Sequence, residues 1–142
     1  MMRCMEIDRL KEGLEVEMEY TVEDKHAASF IESGDVKVLS TPSMICMMEK
    51  TSRLLVQKYL PEGQTTVGTK VNVSHIKAVP VGVKVRIKSK LTRIEGRRLA
   101  FDVIAYWRDD KVGMGTHERY IVEKDRFLEK LRSSMGSTKN EA

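Results

Sequence analysis

The chain reads as an α+β protein in which a curved antiparallel sheet wraps one long central helix. Three observations predict this. Five stretches alternate apolar and polar residues with the period of two that marks half-buried strands. A longer stretch, Thr41 to Tyr59, is apolar around much of its circumference, as a helix must be if other structure encloses it. The order is one strand, that helix, four strands in succession and a terminal helix, and short turns between the strands favour antiparallel pairing.

Each element has its own signal. Glu15 to Val22 places Val16, Met18, Tyr20 and Val22 on one side and Glu15, Glu17 and Glu19 on the other. An irregular polar stretch runs to Gly34-Asp35, and Val36 to Leu39 leads into a helix start. There Thr41 is placed to cap the first turn through its side-chain oxygen, and Pro42 suits the first helical position. Met44, Ile45, Met47, Met48, Leu54, Leu55 and Val56 make the helix broadly apolar, and Leu60-Pro61-Glu62-Gly63 stops it. Thr65 to Ile76 then alternates through Val67, Thr69, Val71, Val73 and His75. Val81 to Ile94 carries Val83, Val85 and Ile87 on one face and Lys84, Arg86, Lys88 and Lys90 on the other. Glu95-Gly96 marks a tight turn, Leu99 to Trp107 alternates again, and Asp109-Asp110-Lys111 turns the chain into Val112 to Val122. Val122 to Leu131 reads as a helix with Phe127, Leu128 and Leu131 as its apolar side. Residues 1–132 therefore make one domain, and 133–142 a polar tail expected to be disordered. A helix buried in the concave face of such a sheet is the hotdog fold.

Bulk composition narrows the function classes. At 142 residues, with 41% apolar and 32% charged residues, the chain is long enough to bury a core. No apolar run approaches the roughly 20 residues of a membrane span, and the acidic start Met-Met-Arg-Cys-Met-Glu-Ile-Asp lacks a secretory core. Cys4 and Cys46 are the only cysteines and are expected to be reduced thiols in a cytoplasmic protein. The net charge of +4 is mild. Its densest basic stretch is one strand face, best read as solvated, with attraction of an anionic ligand as the weaker reading. Neither a nucleic-acid nor a membrane partner is expected.

Three residues in that framework carry chemistry. Glu49 lies within the apolar helix, where a carboxylate is either specifically satisfied, for instance by Arg53 one turn on, or functional. His75 has the parity of Val67, Val71 and Val73, which points an imidazole to the helix side of the sheet, as a core residue or as a general acid–base. Thr41 has a capping role, and its hydroxyl also lies at the positive end of the helix. There the Ser43 amide, with Gly68 permitting close approach from the sheet, offers donors for a developing oxyanion. Eight residues at about 1.5 Å each separate Thr41 and Glu49 by roughly 12 Å along the axis. His75, a substrate or a second subunit must bridge that gap, and a homodimer is expected. His26, His75, His117 and the cysteines show no metal-binding spacing.

The same residues lie in segments whose order resembles the fluoroacetyl-CoA thioesterase-like family of hotdog proteins. The resemblance runs from about Gly13 to Leu131. It includes Leu39-Ser-Thr-Pro, Met47-Met48-Glu49, Leu60-Pro-Glu-Gly, Val67-Gly-Thr, Val73-Ser-His75, Pro80-Val-Gly82, Glu95-Gly-Arg-Arg98 and Gly115-Thr-His-Glu-Arg119. It implies hydrolysis of an acyl-CoA thioester by Thr41, Glu49 and His75, with Gly68 at the acyl end and Arg119 in the substrate or product carboxylate region. It implies no cofactor beyond the coenzyme A of the substrate. The aromatic residues that help gate the acyl pocket in that family have no counterpart between Gly34 and Leu39, and the nearest aromatic is Phe30. The expected substrate is therefore a broader or different short-chain acyl-CoA, and the alternative function is acyl-CoA or small-ligand binding without turnover.

Overall fold

A computed structural model describes residues 9–138. The strands β1 (Glu15–Thr21), β2 (Gln64–His75), β3 (Lys84–Glu95), β4 (Arg98–Trp107) and β5 (Asp110–Glu123) form one antiparallel sheet. Their spatial order is β1-β3-β4-β5-β2. Two-residue connections join β3 to β4, where Glu95 pairs Arg98, and β4 to β5, where Trp107 pairs Asp110. The first connection needs Gly96, whose φ of 62° is the left-handed conformation that side chains resist.

Between β1 and β2 the chain forms α1 (Thr41–Gln57), which packs on the sheet. Met44, Met47, Met48, Leu55 and Val56 share one core with Val85, Ile87 and Leu91 of β3 and Leu99, Phe101 and Val103 of β4. Each such side chain contributes about 1.5–3 kcal/mol when fully buried. The helix also buries Thr51 and Ser52. Their hydroxyls bond back to the Met47 and Met48 carbonyls, and they reach Tyr20 of β1 at 2.8 Å and Ser89 of β3 at 2.7 Å. These paired hydroxyls tie α1 to the sheet without leaving a polar atom unsatisfied. Cys46 faces outward as a free, exposed thiol, and Cys4 lies outside the described residues.

Four expectations change. The N-cap of α1 is Ser40, not Thr41: Ser40 Oγ accepts from the Ser43 amide at 3.1 Å. That bond also occupies the Ser43 donor proposed for an oxyanion, and it frees the Thr41 hydroxyl. The face of β2 changes at a bulge between Gly68 and Lys70, where one extra residue, Thr69, shifts the alternation. Gly68, Val71, Val73 and His75 therefore pair with Arg119, His117, Gly115 and Gly113 on one face, while Val67 pairs with Tyr120 on the other. The basic face of β3 is matched by β1, since Lys84, Arg86 and Lys88 pair with Glu19, Glu17 and Glu15. Those carboxylates remove the reason to expect anion attraction there. Finally, α2 (Lys124–Thr138) begins two residues later than expected and extends through Ser133–Thr138, so the helix runs into the stretch read as a tail. Residues 1–8 and 139–142, where the expectations for the N-terminal segment and the end of the tail fall, lie outside the described residues. Among the described residues no helix is long and apolar enough to cross a membrane.

The cap makes a direct prediction. Ser40→Ala should lower unfolding free energy by about 1 kcal/mol, and Thr41→Ala should cost clearly less. Denaturant titration of both variants measures the difference; equal losses would contradict the assigned cap.

Candidate active site

Two polar clusters lie on the inward face of β2, one towards each end. The first joins the start of α1 to the end of β2. Thr41 Oγ1 lies 2.7 Å from His75 Nδ1. Freed from capping, this hydroxyl is held by the ring. His75 Nε2 is buried with no hydrogen-bond partner among the described residues. A buried polar atom left in that state is costly unless a ligand or a reacting group completes it. Burial lowers the His75 pKa below the ordinary imidazole value, with the Lys77 backbone partly opposing the shift. The ring is therefore neutral at neutral pH and able to take up a proton. Beside the pair lies a groove of about 320 Å³, lined by Ser33, Val38, Thr41, His75, Ile76 and Lys77.

The second cluster gathers over Gly68. A methyl group at that position would lie 2.7 Å from Glu49 Oε2, 3.3 Å from Arg119 Nη1 and 3.4 Å from His117 Cε1. The absence of a side chain at Gly68 thus makes room for a carboxylate, a guanidinium and an imidazole at one point. Glu49 is half-buried on α1, and Arg119 and His117 are buried on β5. Arg119 is held by neutral acceptors: Nε donates to Thr66 Oγ1 at 2.7 Å, Nη2 to the Thr66 carbonyl at 3.0 Å and Nη1 to His117 Nε2 at 3.1 Å. Burial lowers the Arg119 pKa, and the Glu49 charge opposes that shift.

The expected residues are therefore all present but divided. Thr41 and His75 meet directly, whereas Glu49, Gly68 and Arg119 meet elsewhere. Gly68 and His75 are seven residues apart on one strand, about 20 Å at the rise of an extended chain. His75 does not bridge Thr41 to Glu49 within the chain. Sequence reasoning missed His117 and Thr66. The signal for His117 was its parity with Arg119 on a strand whose inward positions also include Gly113 and Gly115.

Comparison with known proteins agrees with this architecture. The family model for fluoroacetyl-CoA-specific thioesterase matches residues 22–125. The fluoroacetyl-CoA thioesterase of Streptantibioticus cattleyicolor is 35% identical over 96 residues, covering 68% of this chain and 69% of that protein. A solved structure of a fluoroacetyl-CoA thioesterase superposes with a TM-score of 0.82 at 28% identity, covering 87% of this chain and 96% of that one. A Thermus thermophilus hypothetical protein described as a thioesterase superfamily member gives 0.81 at 29% identity, covering 93% and 97%. The hotdog fold expected from the strand and helix pattern is the fold these structures share with this chain.

The two lowered imidazoles set a pH dependence of stability. Both His75 and His117 bind protons less readily in the folded chain than at their ordinary value of 6.5. Their contribution is full above that value and declines as pH falls through the lowered folded values, because the unfolded chain then binds more protons. Denaturant titrations between about pH 7.5 and 5.5 should show stability falling with acid. A His75→Gln/His117→Gln double variant should show a flatter profile; an unchanged slope would refute the assignment.

Proposed function

The chain belongs to the fluoroacetyl-CoA-specific thioesterase family and hydrolyses acyl-CoA thioesters, and we propose that it acts on a short-chain acyl group from sites built between two copies of the chain. The observation that carries the shared site is the division of Thr41, His75 and Glu49 into two clusters along β2. That strand is an edge of the sheet, and its outer side has no strand partner among the described residues. An unpaired strand of 12 residues is a ready surface for a second chain. Antiparallel pairing of two β2 edges about the middle of the strand would bring His75 close to Gly68 of the partner subunit. Each Thr41–His75 pair would then face the partner's Glu49 and the partner's Arg119, in two equivalent sites of a symmetric homodimer.

The chemistry follows from those neighbours. The acyl group lies towards Gly68, Glu49 and Arg119, and the thioester lies towards Thr41 and His75. With the Ser43 amide held by the cap and no N–H on Pro42, the Thr41 amide and the backbone at Gly68 polarise the carbonyl. Glu49 either attacks the carbonyl carbon, giving a transient anhydride that water opens, or orients water for direct attack. In both routes the C–S bond breaks and His75 manages the proton that the coenzyme A thiolate takes up. Thr41 holds the ring and assists that transfer. No cofactor beyond the substrate's own coenzyme A enters the scheme, and a cytoplasmic setting is part of the same proposal. The acyl group is short but need not be fluorinated. The segment from Gly34 to Leu39 has no aromatic residue, and Phe30 is 65% exposed rather than closing a pocket.

Thiol release from a panel of acyl-CoA esters tests the activity. His75→Ala and Glu49→Gln should each lose at least about a hundredfold in kcat/KM. Tight binding without turnover by the unaltered chain would establish the ligand-binding alternative instead. Mixing the two inactive variants tests the shared site, because a heterodimer contains one site with both groups intact. Random exchange should restore about a quarter of the wild-type sites. No recovery despite subunit exchange, or full activity in a sedimenting monomer, would sink the shared-site reading. Gly68→Ala should leave the chain folded yet reduce turnover roughly tenfold to a hundredfold by displacing Glu49; unchanged turnover would contradict the packing at Gly68.

A further inference from the structure

His117 has no role in the scheme above, yet both of its ring nitrogens have defined partners. The ring is 1% exposed. Nδ1 lies 2.8 Å from the Lys70 carbonyl, an oxygen that accepts only, so Nδ1 carries the proton. Nε2 lies 3.1 Å from Arg119 Nη1, a nitrogen that donates only, so Nε2 carries the lone pair. Both bonds hold together in one state alone, the neutral ring protonated at Nδ1. The ring also stacks on Phe101, with centroids 5.9 Å apart and planes inclined by 28°, which restricts rotation about the side chain.

We propose that His117 is a positioning residue of the hydrolytic site, fixing the Arg119 guanidinium against Gly68 and Glu49 through an Nε2 acceptor whose tautomer the Lys70 carbonyl selects. The inference rests on the thioesterase reading for its kinetic consequence and on hydrogen-bond chemistry alone for its structural one. The β2 bulge is part of the device. It separates Gly68 from Lys70 by one extra residue, so that Gly68 faces Arg119 while the Lys70 carbonyl comes within reach of His117. Arg119 then has three defined partners, Thr66 Oγ1, the Thr66 carbonyl and His117 Nε2. The first two hold one side of the fork. His117 holds Nη1, the nitrogen nearest Gly68. Without that third bond the planar guanidinium is anchored at two nitrogens only and can tilt about the Nε–Nη2 line, and a displacement of about 1 Å is enough to lose up to a hundredfold in rate.

Two substitutions separate this role from a packing role. His117→Gln keeps an acceptor near the position of Nε2, whereas His117→Leu fills similar space without one. On folded proteins, His117→Leu should lower kcat at least about tenfold with KM for the acyl-CoA changed far less, and His117→Gln should recover most of the loss. Equal losses in both, or a fall in thermal stability with unchanged kcat, would overturn the proposal. Nitrogen-15 spectra of the wild-type imidazole supply a readout independent of turnover. A neutral ring protonated at Nδ1, with Arg119 Nη1 protons protected from exchange in wild type and in His117→Gln but not in His117→Leu, supports it. A ring protonated at Nε2 refutes it even if the kinetics agree. Absence of turnover in the wild-type protein would defeat the hydrolase reading, and the spectra would still decide the tautomer and the hold on Arg119.

Discussion

The burial of α1 against the sheet places nearly every functional group in the molecule. A helix with Met44, Met47, Met48, Leu55 and Val56 on its buried side needs a broad apolar surface, and β3 and β4 supply it through Val85, Ile87, Leu91, Phe101 and Val103. Once docked, its start lies beside the end of β2, within hydrogen-bond distance of His75. Its third turn lies over Gly68, so Glu49 meets the side chains that β5 directs inward. The candidate site residues are thus located by hydrophobic packing and need little local structure of their own. The Tyr20–Thr51 and Ser52–Ser89 contacts limit how far the helix can slide or rotate.

The polar groups then divide by what completes them. Around Arg119 every described hydrogen bond goes to a neutral acceptor, and the carboxylate of Glu49 remains free of a close ion pair among the described residues. A direct salt bridge would tie up the Glu49 oxygens that the proposed chemistry needs. At the other end, the Thr41–His75 pair leaves Nε2 without a partner. One cluster is internally satisfied and positions a carboxylate. The other is left open at a single nitrogen. The unpaired edge of β2 lies between them, where a second chain would bring the two kinds of cluster together.

Much of the fold was legible because strand and helix periods are local properties. Val83, Val85 and Ile87 alternate with Lys84 and Arg86 whatever lies opposite, and Gly96 marks its turn without reference to the rest of the chain. Glu49 and His75 stood out for a similar reason, as polar groups in apolar patterns, and Thr41 as a hydroxyl at a helix start. The errors arose where one residue of offset mattered. Ser40 and Thr41 are both competent caps, and only the docked helix assigns the cap to Ser40 and turns Thr41 towards His75. The bulge at Thr69 is invisible to an alternation count, which merges Val67 with the face that carries His75. His117 looked like one of three isolated histidines until β2 and β5 paired.

By itself the sequence determined the element order, the single helix that had to be enclosed, and the polar residues set within apolar patterns. Those follow from periodicity, turn chemistry and the cost of placing polar groups in apolar segments. Tertiary structure alone decided which of these groups meet. Strand register is a relation between distant segments, so it was the pairing of β2 with β5 that set Gly68 beside Arg119 and the Lys70 carbonyl beside His117. The same pairing separates Glu49 from His75, because Gly68 and His75, the strand positions of the two clusters, lie seven residues apart on one extended strand.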